Sequence, residues 1–549
     1  MSAYSKNYGT RQTPQTSPIP GKAMVENHSG GYSFAVDKWA RLRRFLVLGA
    51  EGGSYYCGEK ELVLENCEAV RECIAEDAAR TVREIVEISD GGRAPNYDPA
   101  IFALAMVAGL GHTDLAMEAL PSVCRIGTHL FAFAEAVRKF RGWGRRLARG
   151  VAAWYEAKSA EDLAFQVAKY RQRNGISQRD MIRFAHPKSD DLAKQAVLRW
   201  AATGMSGLGE REVKRLDAAT RELKRVDRYP DLREHLPRFL AAFEEAKVAD
   251  RGQLIRLIRE ENLPRECVPT EHLNSPEVWE VLLETMPLTA MIRNLGKMTS
   301  VGLLQPLSDA AKVVADRLGQ GESLRKSRVH PLAILIAATT YASGRGFKGQ
   351  LAWSPVSIIN DALDAAFYAA FGNVEPANRR TMIALDVSGS MSAGSIAGTM
   401  LTPREASAAF ALIAAKTEPD FQIVAFAHEL IPLDISRCSR LADVVKLTES
   451  LPFGGTDCAL PMLMAIEKTM NVDTFITLTD SESWAGKIHA SQALVRYRQK
   501  SGLPARAVCV GMVANDYTVL DPKDPGSLNV VGFDAAAPQL IAGYSAGRL

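Results

Sequence analysis

No stretch of this 549-residue chain is apolar for long enough to cross a bilayer. Its longest apolar runs, Ile101 to Leu110 and Leu332 to Ala338, fall well short of the roughly 18 residues a membrane helix needs. No apolar h-region stands at the start either: MSAYSKNYGTRQTPQTSPIPGK is polar and rich in Ser, Thr and Pro, which argues against a secretory signal and for a disordered tail over residues 1–30. Paired cysteines are also missing. The eight present (Cys57, Cys67, Cys73, Cys124, Cys267, Cys438, Cys458, Cys509) are scattered, with no CxxC and no pairing with nearby histidines. That argues against a zinc site and for reduced thiols in a cytoplasm. With 47% hydrophobic and 23% charged residues the composition is neither disordered nor fibrous, and the length implies two to four domains or one elongated array.

The net charge of +3 conceals an uneven distribution. Arg138 to Lys188 holds thirteen Lys/Arg against four acids, a local +9, whereas Thr381 to the end holds thirteen against seventeen, a balance of −4. The first segment is a candidate surface for a polyanion and the second is not. Tyr32 to Ala370 reads almost throughout as helix, with apolar residues three and four apart and no run of period-two alternation. More than 300 residues of short helices without strands imply an α-solenoid of stacked pairs.

Within the basic segment, Trp143, Leu147, Val151 and Trp154 make one helical stripe while Arg145 and Arg149 share another face. Tryptophans at that spacing are more often core than a base-stacking platform. The next helix opens at Ser159 and runs toward Gly175, which sets Lys169 and Arg173 side by side and Arg171 on the opposite flank. A third opens at Ser177 with Asp180 and closes at Pro187; the proline pushes His186 toward extended backbone, beside Arg183 and Lys188. The bland alternative is a solvated helical face, and the clustering sets phosphate contacts beside it as an equal reading. Further cations at Arg293, Lys297, Arg325, Lys326, Arg328, Arg345 and Lys348 could line the same surface.

After the linker NVEPANRR the pattern becomes strand, helix, strand, with MIALDVSGS, FQIVAFA, DTFITLTD and ARAVCVGMV as strands, which implies a doubly wound parallel sheet. Met382 to Leu385 run straight into Asp386-Val387-Ser388-Gly389-Ser390. The oxygens of Asp386, Ser388 and Ser390 can turn toward one point beyond the strand end, and hard ligands of this kind suit Mg²⁺ rather than zinc. The alternative is an ordinary Ser/Gly turn. Asp480 ends another strand, and Gly454-Gly455-Thr456-Asp457 is a loose loop able to reach the same point. Catalytic patterns are missing: an aspartyl-phosphate enzyme needs a second acid where Ser388 stands, and Cys458 has no nearby histidine.

DxSxS, then GGTD, then TLTDSES resemble the metal-ion-dependent adhesion site of von Willebrand factor A domains. That resemblance implies Ser388 and Ser390 as direct Mg²⁺ ligands, Thr456 as direct or water-bridged, and Asp386 and Asp480 acting largely through water. It also implies a site that accepts an acidic oxygen from a protein ligand. FLVLGAEGGSYY from Phe45, VCRIGTHLFAF from Val123, GWGRRL from Gly142, KYRQRNG from Lys169 and ETMPLTAMIRNLGKMT from Glu284 resemble the TROVE module of the Ro (SS-A/Ro) autoantigen family. The resemblance implies three parts: the tail, a TROVE module over 31–372, and an A domain over 373–549. In that picture HEAT-like helical repeats form a ring that the A domain closes. It implies further that Y RNAs bind the outer basic surface at Lys169, Arg171, Arg173 and His186, and that 3′ ends of misfolded noncoding RNAs enter the central hole. An exoribonuclease such as polynucleotide phosphorylase is the partner implied for bacterial members. The competing expectation is a metal-dependent protein-adhesion scaffold whose main ligand is a protein partner at the Mg²⁺ site, with the helical array as its scaffold.

Overall fold

A computed structural model describes residues 12–49, 59–94, 96–216, 223–327, 329–346, 350–371, 375–392, 401–451, 454–513, 515–532 and 537–548. Between Lys38 and Ala369 the helices pack largely in pairs. Examples are Asp98–Gly109 on Gly127–Phe140, Thr113–Val123 on Arg145–Glu156, Arg238–Ala246 on Arg251–Glu261, and Pro331–Ala342 on Ser357–Ala369. Their starts follow from the sequence. Asp37, Ser159, Ser177, Asp191 and Asp250 each accept a hydrogen bond from the first turn's backbone, which satisfies N–H groups that have no partner within the helix. Leu147, Val151 and Trp154 are buried, each contributing about 1.5–3 kcal/mol of apolar transfer, while Arg145 and Arg149 face out.

Two features depart from the helical reading. The N-terminal segment, expected to be disordered over residues 1–30, is a packed arm from residue 12 onward. It carries β1 (Met24–Glu26) and β2 (Tyr32–Ala35), which form an antiparallel pair. Its polar composition suggested disorder, but those polar groups find partners more than 400 residues away, as with Gln15 on Asp457 and Asn27 on Ser483. Residues 1–11 lie outside the described residues. The array also contains strands: a short hairpin of β3 (Gln172–Arg173) with β4 (Ile176–Ser177), and a longer one of β5 (Arg211–Leu216) with β6 (Leu223–Tyr229).

The C-terminal domain has a sheet of β7 (Thr381–Asp386), β8 (Phe421–Phe426), β9 (Leu430–Leu433), β10 (Thr474–Thr479), β11 (Arg506–Gly511) and β13 (Ser527–Val531). A short β12 (Tyr517–Thr518) joins β2 instead. The order is β13-β11-β10-β7-β8-β9, parallel except for β9, which returns antiparallel beside β8. The chain leaves β7 for β8 on one side and later comes back to β10 on the other. The carboxyl ends of β7 and β10 thus flank the point where strand order reverses, the place where such sheets bind ligands. Every residue of β7 and β10 is buried, as expected of central strands covered on both faces.

Both ends of the array meet this domain. At the start, the buried Arg44 guanidinium donates to the Asn515 carbonyl and side-chain oxygens, both at 2.9 Å, and to the Tyr517 carbonyl at 2.7 Å. At the end, the Lys416 ammonium lies 4.3 Å from the Tyr368 ring centroid, and Arg440 and Asp361 are 4.0 Å apart. The chain therefore closes on itself, as a ring requires.

Candidate functional site

The first cluster forms where β7 and β10 end. Asp386 is fully buried; one carboxylate oxygen accepts from the Ser388 backbone N–H at 2.9 Å and the other from the Thr479 hydroxyl at 2.6 Å. The Ser388 and Ser390 hydroxyls are 3.0 Å apart. Adjacent ligands in an octahedral shell with bonds of about 2.1 Å stand about 3.0 Å apart, so this spacing suits a small cation. Asp480, 1% exposed, accepts the Glu482 N–H at 3.1 Å with one oxygen. Its second oxygen and the hydroxyl of the buried Thr456 have no hydrogen-bond partner among the described residues.

Orphaned oxygens in a buried pocket are costly unless something binds them. Burial pushes the carboxyls of both Asp386 and Asp480 upward, and for Asp480 the neighbouring charges of Asp386 and Glu482 add to the rise. A divalent cation would remove both penalties. Two carboxylates and three hydroxyls make a hard donor set, and no group of three His, Cys, Asp or Glu suited to a metal occurs among the described residues. Asp386, Ser388, Ser390 and Asp480 therefore gather where β7 and β10 end, a donor set of the kind Mg²⁺ takes, and Thr456 lies in a loop whose carbonyl is hydrogen-bonded to the segment that follows Asp480. Sequence reasoning missed what supports them. Thr479 orients Asp386, the buried Arg404 donates to the carbonyls of Val387 at 2.7 Å and Ser388 at 3.1 Å, and Asn515 donates to the Asp480 carbonyl at 2.6 Å.

The second cluster is the basic one, and here the structure corrects the helical reading. The helix stops at Lys169, and Arg171 leads into the β3–β4 hairpin. Asn174 (φ 51°) and Gly175 (φ 76°) make its turn, an Asn-Gly pair in the left-handed region that a two-residue hairpin favours. Lys169 and Arg173 are thus not helical neighbours. Arg173 instead lies on β3, and Arg171 immediately precedes that strand. The Lys169 ammonium sits 4.9 Å from the Phe165 ring centroid and 5.4 Å from that of Tyr170, and the Arg171 guanidinium 5.7 Å from that of Phe243. The buried Gln178 ties the hairpin down. It accepts from the Tyr155 hydroxyl at 2.5 Å and donates to the Tyr170 carbonyl at 3.0 Å, while its backbone N–H reaches the Arg171 carbonyl at 3.0 Å.

His186 is exposed but not extended: at φ 50°, ψ 50° it is the left-handed cap of the Gln178–Ala185 helix, its N–H on the Ile182 carbonyl at 2.9 Å. The cap's hydrogen bond outweighs the restriction that Pro187 imposes. Lys188 follows, its N–H on a Glu156 carboxylate oxygen at 2.7 Å, which joins this exit to the far end of the helix bearing Arg145 and Arg149. Arg183 stands three residues before His186, its guanidinium 3.5 Å from the Ala202 carbonyl. The eight residues therefore form two groups, the hairpin cations and the cations around Arg145–Glu156 and Gln178–Ala185. One eight-residue helix, about 12 Å long, runs between the hairpin and His186. Arg146 is paired with Asp114 at 3.1 Å. Among the described residues no carboxylate lies within ion-pair distance of Arg145, Arg149, Lys169, Arg171, Arg173, Arg183 or Lys188. Of the outlying cations, Arg293 lies near Tyr170 and so extends the first group, while Arg328 and Lys348 fall outside the described residues.

The TROVE domain model matches residues 25–227 and 211–340, and the Ro60 vWA domain model matches residues 380–545. The chain belongs to the Ro60 family. It is 40% identical to the RNA-binding protein RO60 of Deinococcus radiodurans, with 98% of each chain covered. It is 35% identical to the RNA-binding protein RO60 of Caenorhabditis elegans, covering 96% of this chain and 90% of that one. The crystal structure of the Deinococcus radiodurans RO (RSR) protein superposes with a TM-score of 0.68 at 39% identity, over 93% of this chain and all of that one. The Ro60 relationship thus spans both clusters, with the basic residues inside the TROVE match and the metal-type residues inside the vWA match. No helix among the described residues is long and apolar enough to cross a membrane.

Proposed function

We propose that this chain is a non-catalytic RNA-binding protein. It would bind small noncoding RNAs of the Y type on its outer basic face and the 3′ single-stranded ends of misfolded RNAs inside the ring, serving RNA quality control in the cytoplasm. The observation that carries the reading is a set of cations without carboxylate partners at one turn: Lys169 and Arg171 lie against aromatic rings, and Gln178 fastens the backbone that leads into the hairpin bearing Arg173. Cations without a carboxylate partner can take a phosphate at no cost of breaking an ion pair. Arg145, Arg149, Arg183, His186 and Lys188 would extend the contact along the duplex, with shape and unpaired ends selecting the RNA. The relatives' names support RNA as the ligand class.

At the second site we propose that Ser388, Ser390 and Thr456 hold Mg²⁺ directly and that Asp386 and Asp480 hold it through water. The bound ion would supply an electrophilic position for an acidic oxygen of a protein partner. An exoribonuclease such as polynucleotide phosphorylase is a candidate partner for the ribonucleoprotein. The alternative, in which protein capture at the metal site is the whole function, predicts RNA affinity indifferent to the hairpin. Fluorescence anisotropy with a labelled stem-loop RNA tests the two. Lys169→Ala/Arg171→Ala/Arg173→Ala should weaken binding at least tenfold and reduce the salt slope by about 2–3. Equal affinity and an equal slope would overturn the assignment.

A further inference from the structure

We propose that the N-terminal arm, Thr13 to Ala35, is a working part of the metal centre: it clamps the loops carrying Thr456 and Asp480 at the spacing that binds a divalent cation. The proposal rests on the metal reading above and adds residues that lie outside the vWA match.

The two loops are joined first to each other. The Thr456 carbonyl accepts from the N–H groups of Trp484 and Ala485, both at 3.0 Å. The arm then lies over the join. The Gln15 side-chain amide donates to Asp457, next to Thr456, at 2.8 Å and to the Ile488 carbonyl at 2.9 Å, while its oxygen accepts from the Ser483 hydroxyl. Gln15 is 1% exposed, so these bonds are made away from water, where losing one partner leaves the others unsatisfied. Asn27 donates to the Ser483 carbonyl at 2.9 Å, and the Ser29 N–H meets a Glu482 carboxylate oxygen at 3.2 Å. The loop from Glu482 to Ile488, which begins two residues after Asp480, is therefore contacted by the arm at Glu482, Ser483, Gly486 and Ile488, the Gly486 carbonyl accepting from the Gln15 N–H at 2.9 Å.

Two glycines show how closely the surfaces fit. A Cβ on Gly31 would stand 2.0 Å from the Ser483 carbonyl oxygen and 2.9 Å from the Trp484 Cα. One on Gly486 would stand 2.3 Å from the Gln15 amide nitrogen and 2.4 Å from an Asp457 oxygen. The arm is anchored from behind as well: β2 pairs with β12, and Asn515 bridges Arg44 of the first helix to the Asp480 carbonyl. Asp480 follows β10 directly, whereas Thr456 lies in a loop with no strand or helix at the ligating residue, so the position of its hydroxyl relative to Asp480 depends on this suture. Binding free energies of linked events are reciprocal: if the docked arm favours the ion, the ion favours the docked arm by the same factor.

The experiment uses the full chain with Mn²⁺ as the probe, its free concentration read by electron paramagnetic resonance, together with amide exchange of the arm. Gln15→Ala is expected to weaken Mn²⁺ binding about tenfold, and Gly31→Ala to do the same by displacing the arm. In the wild type, Mn²⁺ should slow exchange at Gln15, Asn27, Gly31 and Tyr32 by a similar factor. Unchanged affinity in both variants would overturn the proposal, and so would weaker binding without any effect of Mn²⁺ on arm exchange, since linkage runs both ways. If a variant does not fold, the wild-type exchange measurement decides alone. Wild-type protein that binds no Mn²⁺ would refute the metal site itself and this inference with it.

Discussion

Replacing Asp480 by Asn removes a charge and keeps the shape of a side chain whose environment is hostile to the charge. The Glu482 N–H can still donate to the amide oxygen, as it does to the carboxylate at 3.1 Å, and the second oxygen, which has no protein partner, becomes an NH₂. In ion-free protein the wild-type carboxyl is held above the ordinary aspartate range by burial and by Asp386 and Glu482. The folded state thus binds that proton more tightly than the unfolded chain. Stability in EDTA should therefore fall as pH rises from about 3.9 through the raised folded value, and level off above it. Asp480→Asn should flatten that dependence and raise the melting temperature in EDTA at neutral pH. Magnesium should act in the opposite way. At about 100 times its Kd, mass action adds about 2.7 kcal/mol to the wild type, or about 5–10 °C for a domain of this size, and the variant should lose most of that gain. Differential scanning fluorimetry with EDTA or Mg²⁺ measures all four states. A wild type indifferent to Mg²⁺, or a variant less stable than wild type in EDTA, would refute the reasoning.

Gln178→Ala should leave the Tyr155 hydroxyl and the Tyr170 carbonyl without partners, costing about 1–3 kcal/mol in urea unfolding and weakening RNA binding by loosening the hairpin. His186→Gly should relieve a left-handed residue before proline, so it should leave stability equal or slightly higher while RNA affinity drops; a loss of stability would show that the cap is not strained. Arg44→Met should destabilise the junction of the first helix with the C-terminal domain by several kcal/mol, seen as an earlier melting step, because three buried acceptors lose their donor.

What could be read from sequence was local. Asp386, Ser388 and Ser390 are set by strand alternation and a strand end, and Thr456 and Asp480 by loops at matching places in a regular αβ pattern. The supports of the same site were not legible: Gln15 meets Asp457 across 442 residues, and Asn515 meets Asp480 through a side chain to carbonyl bond. Composition even pointed the wrong way, because the amides and hydroxyls that make the arm look disordered are the groups that dock it. The hairpin was legible and overlooked. Asn174-Gly175 is a strong two-residue turn signal, overridden by the helical period on either side of it. At His186 two local rules compete, the preference before proline and the left-handed cap, and sequence alone does not rank them.

Ultraviolet crosslinking of the protein in its own cells, with sequencing of the bound RNA and mass spectrometry of the crosslinked peptides, tests the central claim most directly. The account predicts small structured noncoding RNAs crosslinked within Lys169 to Lys188, with Tyr170 and His186 among the modified residues. Recovery of no RNA above background, or of RNA crosslinked only elsewhere, would contradict it.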